Sequence, residues 1–484
     1  MTKFRTMAKP MRFFVALLAL ALVAASCGDD DDDAQPAEPA PAAPEAAEPE
    51  AEMAEPEAEA EAAEPEAEMA EPEAEAEPEP EMAEPEPEMA EPEEVTISIE
   101  SWRSDDQAIW DDQIIPAFEA EYPHINVEFA PTTPLEYPPA LRTRLEGGVA
   151  GDLITCQPFD RAREIFEDGH LAPLNDLDGI DNFGASAQAA WLSADGSTPY
   201  CVPVASIIQG FFYNVDAFNE LGLSVPETES EFFDVLQAIL DDGTYTPIAL
   251  GLSEWEAEHI LFQNIGANYW KGEEGRLALI RGEDKVTDSE YIDTFATMAR
   301  LGPYMHPGAS GITYPDGKIL FENAQAAIYP GGSWEITGFD ANADFEFNAF
   351  PTPRPDGQDD CYIVDHIDLA IGLNPASPNP EAARTFLSWV ASSQFAGIYT
   401  GAISGFFSLQ DTPVSYDHPV ASEFVSWRQD CESANRTGYE ALESGEPKFP
   451  IELREVSNAV ILGDTSPADA AQRLQDGLDS WYTP

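Results

Sequence analysis

Aromatic and hydrogen-bonding side chains follow two of the strands that the sequence predicts. Trp102 and Asp105 come just after the first strand, "VTISIESW", and Gln157, Asp160 and Arg161 come after the third, "DLITCQ". In an open, mainly parallel sheet, ligands bind beyond the carboxyl ends of the strands. We therefore expect these side chains at the mouth of a cleft, where they contact a ligand. The alternative is that they are ordinary polar residues of surface loops.

The motifs of common catalytic sites are missing from the sequence. It has no GxSxG elbow, no HExxH, no GxxxxGK[ST] and no dinucleotide fingerprint after the first strand. Paired carboxylates carry almost no information, because acidic residues are so abundant that any two could be proposed as a glycosidase pair. No His, Tyr or Cys cluster has the spacing of metal ligands. We expect no enzymatic activity, no cofactor and no metal site.

Strands and helices alternate along the first part of the folded chain. The strand patterns "VTISIESW", "INVEFAP" and "DLITCQ" are separated by helical patterns, of which "PALRTRLEGGV" ends at Gly147 and Gly148. This alternation indicates βαβ units and a mainly parallel sheet. About 390 residues follow the acidic N-terminal part, which is more than one core usually holds, so two lobes are expected.

The first 27 residues have the pattern of a lipoprotein signal peptide. Four basic residues precede "FFVALLALALVAA", an apolar run of 13 residues, which is too short to span a bilayer because a spanning helix takes about 20. Small residues then lead to Cys27, which we expect to be lipidated and to become the mature N-terminus. Ala24 stands where the usual signal has Leu. An ordinary secretory signal is the alternative.

Residues 28–94 form an acidic segment of Ala, Glu and Pro. It holds 29 Asp and Glu, no Lys or Arg, and repeated copies of "MAEPE", so we expect a disordered, self-repelling linker. The net charge of the 484-residue chain is −70, and residues 95–484 alone hold 63 acidic and 18 basic residues. This acidity argues against nucleic-acid binding through phosphates and against adsorption to an anionic membrane, which leaves the lipid as the membrane contact.

A series of motifs runs through the folded part. In "GFFYNVDAFNELGLSVPETESEFFDVL" a strand end is followed by a helix, a proline turn and a new helix. Four other segments are "GDLITCQPFDRAREIFEDGHLAPL", "ENAQAAIYPGGSWEITGF", "FPTPRPDG" and "NPASPNPEAARTFLSWVASSQFAGIYT". In this order they resemble the extracellular solute-binding proteins of ABC importers, in the group that binds sugars and includes maltose-binding protein. Gly151 replaces a family proline, and Glu229 stands where the family often has Trp. The matching positions of the first segment are Tyr213, Asn214, Asp216, Gly222, Pro226 and Thr228.

The resemblance implies a two-lobed α/β fold, periplasmic-binding-protein-like, with mostly parallel central sheets and a multi-strand hinge. Lobe 1 is expected at residues 95–205 and 366–404, and lobe 2 at residues 206–365 and 405–484. The implied function is that of a monomeric substrate-binding lipoprotein in the periplasm or on the outer face of the membrane. It would capture a sugar or oligosaccharide and deliver it to permease subunits. Two alternatives stay open, a receptor for a cation such as a polyamine and a secreted glycosidase.

A sugar site needs planar or charged groups for the hydroxyls and flat rings for the CH-rich faces. Trp334 matches a stacking Trp of the family, and Gly332 before it is expected to let the backbone approach a ligand. Asp160 and Arg161 match a family pair that binds hydroxyls. For each residue the alternative is packing or helix capping, most strongly so for the lone histidine. The other expected ligand-binding residues are Trp102, Asp105, Gln157, Gln209, Trp255, Asp365, His366 and Phe406.

Four cysteines remain after Cys27, and the sequence alone leaves their three possible pairings open. Disulfides are expected outside the cytoplasm. In proteins of the resembling family, the strands that would carry Cys156 and Cys201 run close together. The resemblance therefore implies the pair Cys156–Cys201, and Cys361–Cys431 is the second predicted pair.

Overall fold

The structure is a computed structural model that describes residues 93–484 except 439 and 444. The predicted signal peptide, the lipidated Cys27 and nearly all of the acidic linker lie outside the described residues. Within the described part of the chain, no helix combines the length and the apolar character that crossing a membrane requires.

Ten strands belong to one mixed sheet. They are β1 Val95–Ser101, β2 Ile125–Pro131, β3 Leu153–Cys156, β4 Val202–Asn214, β5 Thr246–Ile248, β6 Ala326–Gly332, β7 Phe347–Phe350, β8 Tyr362–Leu373, β9 Phe407–Ser408 and β10 Glu432–Ala434. The order across the sheet is β2-β1-β3-β8-β4-β6-β5, with β7 and β9 paired to β4 and β10 paired to β8.

Helices lie between the strands and after the last of them. Those between β1 and β4 are α1 Gln107–Ile109, α2 Ile115–Glu121, α3 Tyr137–Glu146, α4 Asp160–Glu167 and α5 Ala185–Ala189. The middle of the chain forms α6 Val215–Leu221, α7 Glu229–Asp242, α8 Gln263–Tyr269, α9 Gly272–Ile280, α10 Ser289–Leu301, α11 Tyr314–Glu322 and α12 Ile336–Asn342. The last helices are α13 Pro380–Val390, α14 Ser393–Ala402, α15 Pro419–Ser426, α16 Phe449–Leu462 and α17 Pro467–Asp479.

The predicted βαβ units are confirmed at one edge of the sheet, where β1 pairs in parallel with both β2 and β3. The centre differs from the expectation of a mostly parallel sheet. Strand β8 is antiparallel to β3 and to β4, and β4 is antiparallel to β6. The sheet is mixed because the two longest strands, β4 and β8, run through its centre in opposite directions.

Two main hydrophobic cores divide the folded chain. The first is built from residues between 97 and 207 and between 369 and 406, and the second from residues between 211 and 478. A smaller cluster, which includes Ile208 and Phe212 of β4, lies beside the second core. Below, lobe 1 and lobe 2 mean the parts of the chain around the first and the second core. The boundaries at residues 205, 365 and 404 stay a prediction.

Strand β4 takes part in both main cores, whereas β8 packs in the first core and in two smaller clusters. In β4, Val202 to Ile207 pack in the first core, whereas Phe211 packs in the second. The pairing of β4 with β8 is irregular, with register shifts between Pro203 and Ala205 and between Ala205 and Ser206. Proline has no amide hydrogen to donate to the ladder, and a bulge bends a strand. The irregular step therefore lies where β4 passes from one lobe to the other.

Both predicted disulfides are confirmed. Cys156 at the end of β3 is bonded to Cys201, which immediately precedes β4, with the two Cα atoms 6.8 Å apart. Cys361 and Cys431 are bonded at the starts of the paired strands β8 and β10, with Cα atoms 4.5 Å apart. A disulfide typically contributes about 2 to 4 kcal/mol by restricting the unfolded chain. Each bond therefore fixes one end of the hinge, by which we mean the paired strands β4 and β8.

Candidate ligand-binding site

A cavity of about 870 Å³ lies between the two lobes. Lobe 1 contributes Trp102, Gln157 and Arg161, which follow β1 and β3, and the chain of lobe 2 contributes Trp255 and Trp334, of which Trp334 also packs against the first core. This volume falls within the range of about 300 to 1,000 Å³ that is typical of small-molecule sites. The cavity is therefore large enough for a small ligand, and it lies beyond the carboxyl ends of the strands, as the sequence predicts.

Three aromatic rings, those of Trp255, Tyr314 and Trp334, form one wall of the cavity, which we call the aromatic wall. The ring centroid of Trp255 is 4.8 Å from that of Tyr314 and 6.4 Å from that of Trp334. Nε1 of Trp334 donates a hydrogen bond of 2.8 Å to the hydroxyl of Tyr314. Such rings offer flat apolar surface together with a polar edge, which suits the CH face of a ring-shaped polar ligand.

The carboxylate of Glu335 holds the aromatic wall in position. Its Oε1 accepts hydrogen bonds from Nε1 of Trp334 at 3.0 Å, from the hydroxyl of Tyr329 at 3.3 Å and from the hydroxyl of Tyr314. Its Oε2 lies 3.1 Å from Nζ of Lys318. Burial, and then Glu335, raise the pKa of Tyr314 well above its usual value, so the phenol keeps its proton as a donor. A buried charge requires such partners.

The backbone before Trp334 fixes this residue to the hinge. Gly332, the last residue of β6, is paired with Gln209 of β4. The hydroxyl of Ser333 accepts from the amide of Ile208 at 3.1 Å and donates to the carbonyl of Gly405. A Cβ atom on Gly332 would lie 1.8 Å from Cζ3 of Trp334. The glycine therefore makes room for the indole ring itself, and its approach to a ligand stays a prediction.

The loop after β3 presents the polar groups of lobe 1. Nη1 of Arg161 donates to Oε1 of Gln157 at 3.3 Å, and Nε1 of Trp191 donates to the carbonyl of Gln157 at 3.2 Å. Between Gln157 and Arg161, Phe159 has a φ of 59°, which is unusual for a residue other than glycine. Strained backbone is concentrated at functional sites. The loop is therefore held in one conformation that directs Gln157 and Arg161 to the cavity.

Two ion pairs join the lobes across the cleft. Oδ2 of Asp105 lies 3.1 Å from Nζ of Lys318, and Nη2 of Arg161 lies 2.6 Å from Oε1 of Glu443. Burial would lower the pKa of Lys318, but the carboxylates of Glu335 and Asp105 raise it above its usual value. The ammonium group therefore stays charged between the two carboxylates, one from each lobe.

A basic cluster of Arg161, His259, Arg436 and Arg454 lines the same cavity. The guanidinium of Arg436 lies 5.9 Å from the ring centre of Trp334, so the cluster adjoins the aromatic wall. Burial, and then Arg436, Arg161 and Arg454, hold the pKa of His259 well below its usual value. The imidazole is therefore neutral at pH 7, with one nitrogen able to donate and the other able to accept a hydrogen bond.

Six of the expected residues line the cavity: Trp102, Asp105, Gln157, Arg161, Trp255 and Trp334. The side chains of two other expected residues, both acidic, bond to arginines that do not line the cavity. Asp160 accepts a hydrogen bond from Nη2 of Arg163 in the same helix, and Asp365 forms two hydrogen bonds of 2.7 and 2.8 Å with Arg428. The carboxylate of Asp160 is thus bonded to Arg163, and Asp160 does not line the cavity.

The remaining three expected residues, Gln209, His366 and Phe406, are buried beside the hinge and are absent from the cavity lining. Their side chains are at most 1% exposed. Burial, and then Arg436, lower the pKa of His366 to about 4, so the imidazole is neutral at pH 7. The ring of Phe406 lies against the guanidinium of Arg103, which is 4.7 Å from its centre. These positions agree with the packing alternative.

Among the lining residues that the sequence interpretation missed are four of the aromatic wall and the basic cluster, namely Tyr314, His259, Arg436 and Arg454. One of them had a usable signal: His259 follows Trp255 by four residues, and its backbone amide donates to the carbonyl of Trp255 at 3.1 Å. The other three lie in segments without a strand-end or aromatic motif. No group of three or more His, Cys, Asp or Glu in the described residues could hold a metal ion.

Known proteins share the sequence pattern of this chain. The family model described as bacterial extracellular solute-binding protein matches residues 101–396. The multiple sugar-binding protein of Streptococcus mutans serotype c is 25% identical over 327 residues, which cover 63% of this chain and 71% of that relative.

Solved structures share the fold. The bacterial solute receptor AcbH, described as having an exclusive preference for b-D-galactopyranose, is similar with a TM-score of 0.69 and 19% identity, over 80% of this chain and 98% of that one. The solute-binding protein RafE in complex with raffinose has a TM-score of 0.66 and 21% identity, over 80% of this chain and 99% of that one. The expected two-lobed fold class is thereby confirmed.

We expect Glu256, the residue after Trp255, to make stability depend on pH. Burial raises the pKa of its carboxyl to about 8. Between about pH 4.5 and pH 8 the unfolded chain releases a proton that the folded state retains, so the free energy of unfolding falls as pH rises. The free energy of unfolding of Glu256→Gln should match that of the parent at pH 5 and exceed it at pH 8 by on the order of a few kcal/mol. Denaturant unfolding at both values measures this.

The matched control is Glu128→Gln, which removes one carboxylate from an exposed position of β2. It should leave the difference between pH 5 and pH 8 unchanged. A Glu256→Gln variant that is less stable than the parent at pH 8 would contradict the assignment of a neutral, buried carboxyl.

Proposed function

The chain belongs to the family of bacterial extracellular solute-binding proteins, and we propose that it is the sugar-binding receptor of an ABC importer. In this role it captures a sugar or an oligosaccharide outside the cytoplasm and delivers it to the permease subunits. The observation that supports this most directly is the cavity between the lobes, where the aromatic wall of lobe 2 and the hydrogen-bonding residues Gln157 and Arg161 of lobe 1 meet.

The aromatic and the polar parts of the cavity suit the CH-rich faces and the hydroxyls of a sugar, respectively. The CH-rich face of a pyranose stacks on Trp334, which is held by Glu335, and the hydroxyls bond to Gln157 and Arg161. A ligand that contacts both lobes stabilises the closed arrangement, because only that arrangement makes all of its contacts. Closure also removes water from the polar contacts, which strengthens them.

The relatives support a sugar as the ligand. The curated relative is a multiple sugar-binding protein, and the similar structures include the raffinose complex of RafE. A polyamine is disfavoured despite the acidity of the chain, because Arg161, Arg436 and Arg454 line the cavity and would repel a cation. We further propose that the protein acts as a monomer and has no catalytic activity of its own.

A lipid anchor is the proposed link to the membrane. The signal pattern of residues 1–27 ends at Cys27, and the acidic segment that follows would act as a tether. The two disulfides of the folded part support an oxidising compartment outside the cytoplasm. The receptor would thus stay near the permease and still move freely enough to collect ligand.

Trp334→Ala tests the sugar site. A thermal-shift screen of mono- and oligosaccharides first identifies a bound sugar, and calorimetry then measures its affinity. Loss of the stacking surface should weaken binding by about 2 to 4 kcal/mol, the scale of a dominant interface residue, with the melting temperature of the unliganded protein little changed.

The control is Trp481→Ala, which removes a tryptophan that packs against the second core and does not line the cavity. This variant should bind the sugar normally even if it melts earlier. Normal binding combined with an early melting transition in Trp334→Ala would show that Trp334 is a packing residue and would refute the stacking role.

Cys27→Ser tests the anchor in the expressing cell. Without the thiol no lipid is attached, so the protein should move from the membrane fraction to the soluble extracytoplasmic fraction. Ser26→Ala, which keeps a small residue beside the cysteine, should remain with the membrane. Retention of Cys27→Ser in washed membranes would contradict the proposed lipidation.

A further inference from the structure

The side chain of Asp105 contacts the opposite lobe. Asp105 lies in a short 3-10 turn, Ser104–Asp106, that follows β1. Its Oδ2 accepts a hydrogen bond of 3.1 Å from Nζ of Lys318 in α11. The side chain of Asp105 is 62% exposed, whereas that of Lys318 is 15% exposed. A solvated carboxylate of lobe 1 thus meets an enclosed ammonium group of lobe 2, and we call these two residues the cross-lobe pair.

Lys318 also supports the aromatic wall. Its Nζ lies 3.1 Å from Oε2 of Glu335 and 5.4 Å from the ring centre of Tyr314. The other oxygen of Glu335, Oε1, accepts the hydrogen bonds from Trp334 and from Tyr314. One ammonium group therefore contacts lobe 1 through Asp105 and is linked to the stacking residue Trp334 through Glu335.

The two contacts of Lys318 depend differently on closure of the cleft. Lys318 and Glu335 both belong to the chain of lobe 2, where their neighbours Leu320 and Ile336 pack in the smaller cluster beside the second core. Their contact therefore persists when the lobes separate. Asp105 belongs to lobe 1, so its contact with Lys318 requires the closed arrangement. An interaction that exists in only one of two states stabilises that state, so the cross-lobe pair favours closure before a ligand binds.

Both members of the cross-lobe pair are charged at neutral pH. Burial would raise the pKa of Asp105, but Lys318 and then Arg103 lower it below its usual value. The carboxylates near Lys318 likewise raise the pKa of its ammonium group. Because Asp105 is largely exposed, water screens the attraction, and such pairs typically change an equilibrium constant by a factor of about two to five.

We propose that Asp105 is a positioning residue that acts through Lys318: the cross-lobe pair shifts the unliganded receptor toward the closed arrangement, in which the aromatic wall faces Gln157 and Arg161. This inference rests on the proposed function, in which the closed cleft holds the sugar. The role differs from the direct ligand contact that the sequence predicts for Asp105, because the carboxylate affects affinity without bonding to a sugar hydroxyl.

A positioning role and a ligand-contact role have different signatures in binding. If only the closed arrangement binds, the apparent affinity is scaled by the fraction of the protein that is closed. Loss of the cross-lobe pair then weakens the binding of every sugar by the same factor. Loss of a direct hydrogen bond would weaken the sugars unequally, because only a sugar that presents a hydroxyl to Asp105 would lose a contact.

Distances between the lobes test the cross-lobe pair without a ligand. Nitroxide labels are placed on Val149→Cys in lobe 1 and Leu240→Cys in lobe 2, which are exposed positions outside the cavity lining. The full chain carries Cys27→Ser, so that no other free thiol remains beside the two disulfides. Electron–electron double resonance on the unliganded parent should show one population with the interlabel distance of the closed arrangement.

Asp105→Asn is the variant that separates the lobes. It removes the charge and should lower the ratio of closed to open protein about two- to fivefold. Asp105→Glu keeps the charge and should restore most of the closed population. In a Lys318→Met background, Asp105→Asn should change the distances no further, because the partner is already absent.

The matched control is Asp176→Asn. Asp176 is an exposed carboxylate that pairs with Arg384 at 2.5 Å within lobe 1, so its loss should leave the distances between the lobes unchanged. Melting temperatures confirm that each variant is folded.

Calorimetry supplies the second measurement. The probes are galactose, the disaccharide melibiose and the trisaccharide raffinose, with any further sugar that the thermal-shift screen identifies. Asp105→Asn should weaken every sugar that binds by one common factor, about two- to fivefold. Added salt should narrow the difference between this variant and the parent, because it screens the exposed carboxylate.

Three results would overturn the positioning role and leave the sugar receptor intact. The unliganded parent shows no closed population, Asp105→Asn leaves the distances unchanged, or Asp105→Asn weakens different sugars by unequal factors. Failure of every sugar to bind would instead refute the proposed function. The distances in the unliganded protein would still decide the role of the cross-lobe pair, so the two failures are distinguishable.

Discussion

The antiparallel pairing of β4 with β8 is the constraint on which the position of the site depends. Strand β4 packs in both main cores, and β8 packs in the first core and in two smaller clusters, so the lobes share one sheet. Strands β1 and β3, which precede the proposed ligand-binding residues of lobe 1, end at the border between the lobes. On the other side of this border β6 pairs with β4, and Trp334 follows the end of β6 by two residues. The cavity lies where these ends meet.

Buried charge then determines the character of the cavity. Glu335 is 1% exposed and satisfies its carboxylate with the two ring donors of the aromatic wall, a second tyrosine and Lys318. The ring orientation of Trp334 is thus set before a ligand arrives, which lowers the entropy that binding costs. The ion pairs of Asp105 with Lys318 and of Arg161 with Glu443 connect this preorganised wall to lobe 1.

The sequence predicts the elements better than the contacts. Strand ends and family motifs identify Trp334 and Trp255 correctly as cavity residues, because chain direction and helix register are local properties. Asp160 was expected to bind hydroxyls together with Arg161, but its carboxylate accepts a hydrogen bond from Arg163 one helical turn away, a local partner that the sequence does not reveal. Arg436 reaches the cavity from a segment far along the chain, and only the fold brings it to Trp334. Basic residues are scarce in this acidic chain, and that scarcity was the available hint that Arg436 has a specific role.

A structure of the protein with a bound sugar tests the central claim, that the ligand lies between the lobes and contacts both. The sugar ring should stack on Trp334, with its hydroxyls bonded to Gln157 or Arg161. A sugar bound outside the cavity, or bound inside it with contacts to only one lobe, would contradict the claim.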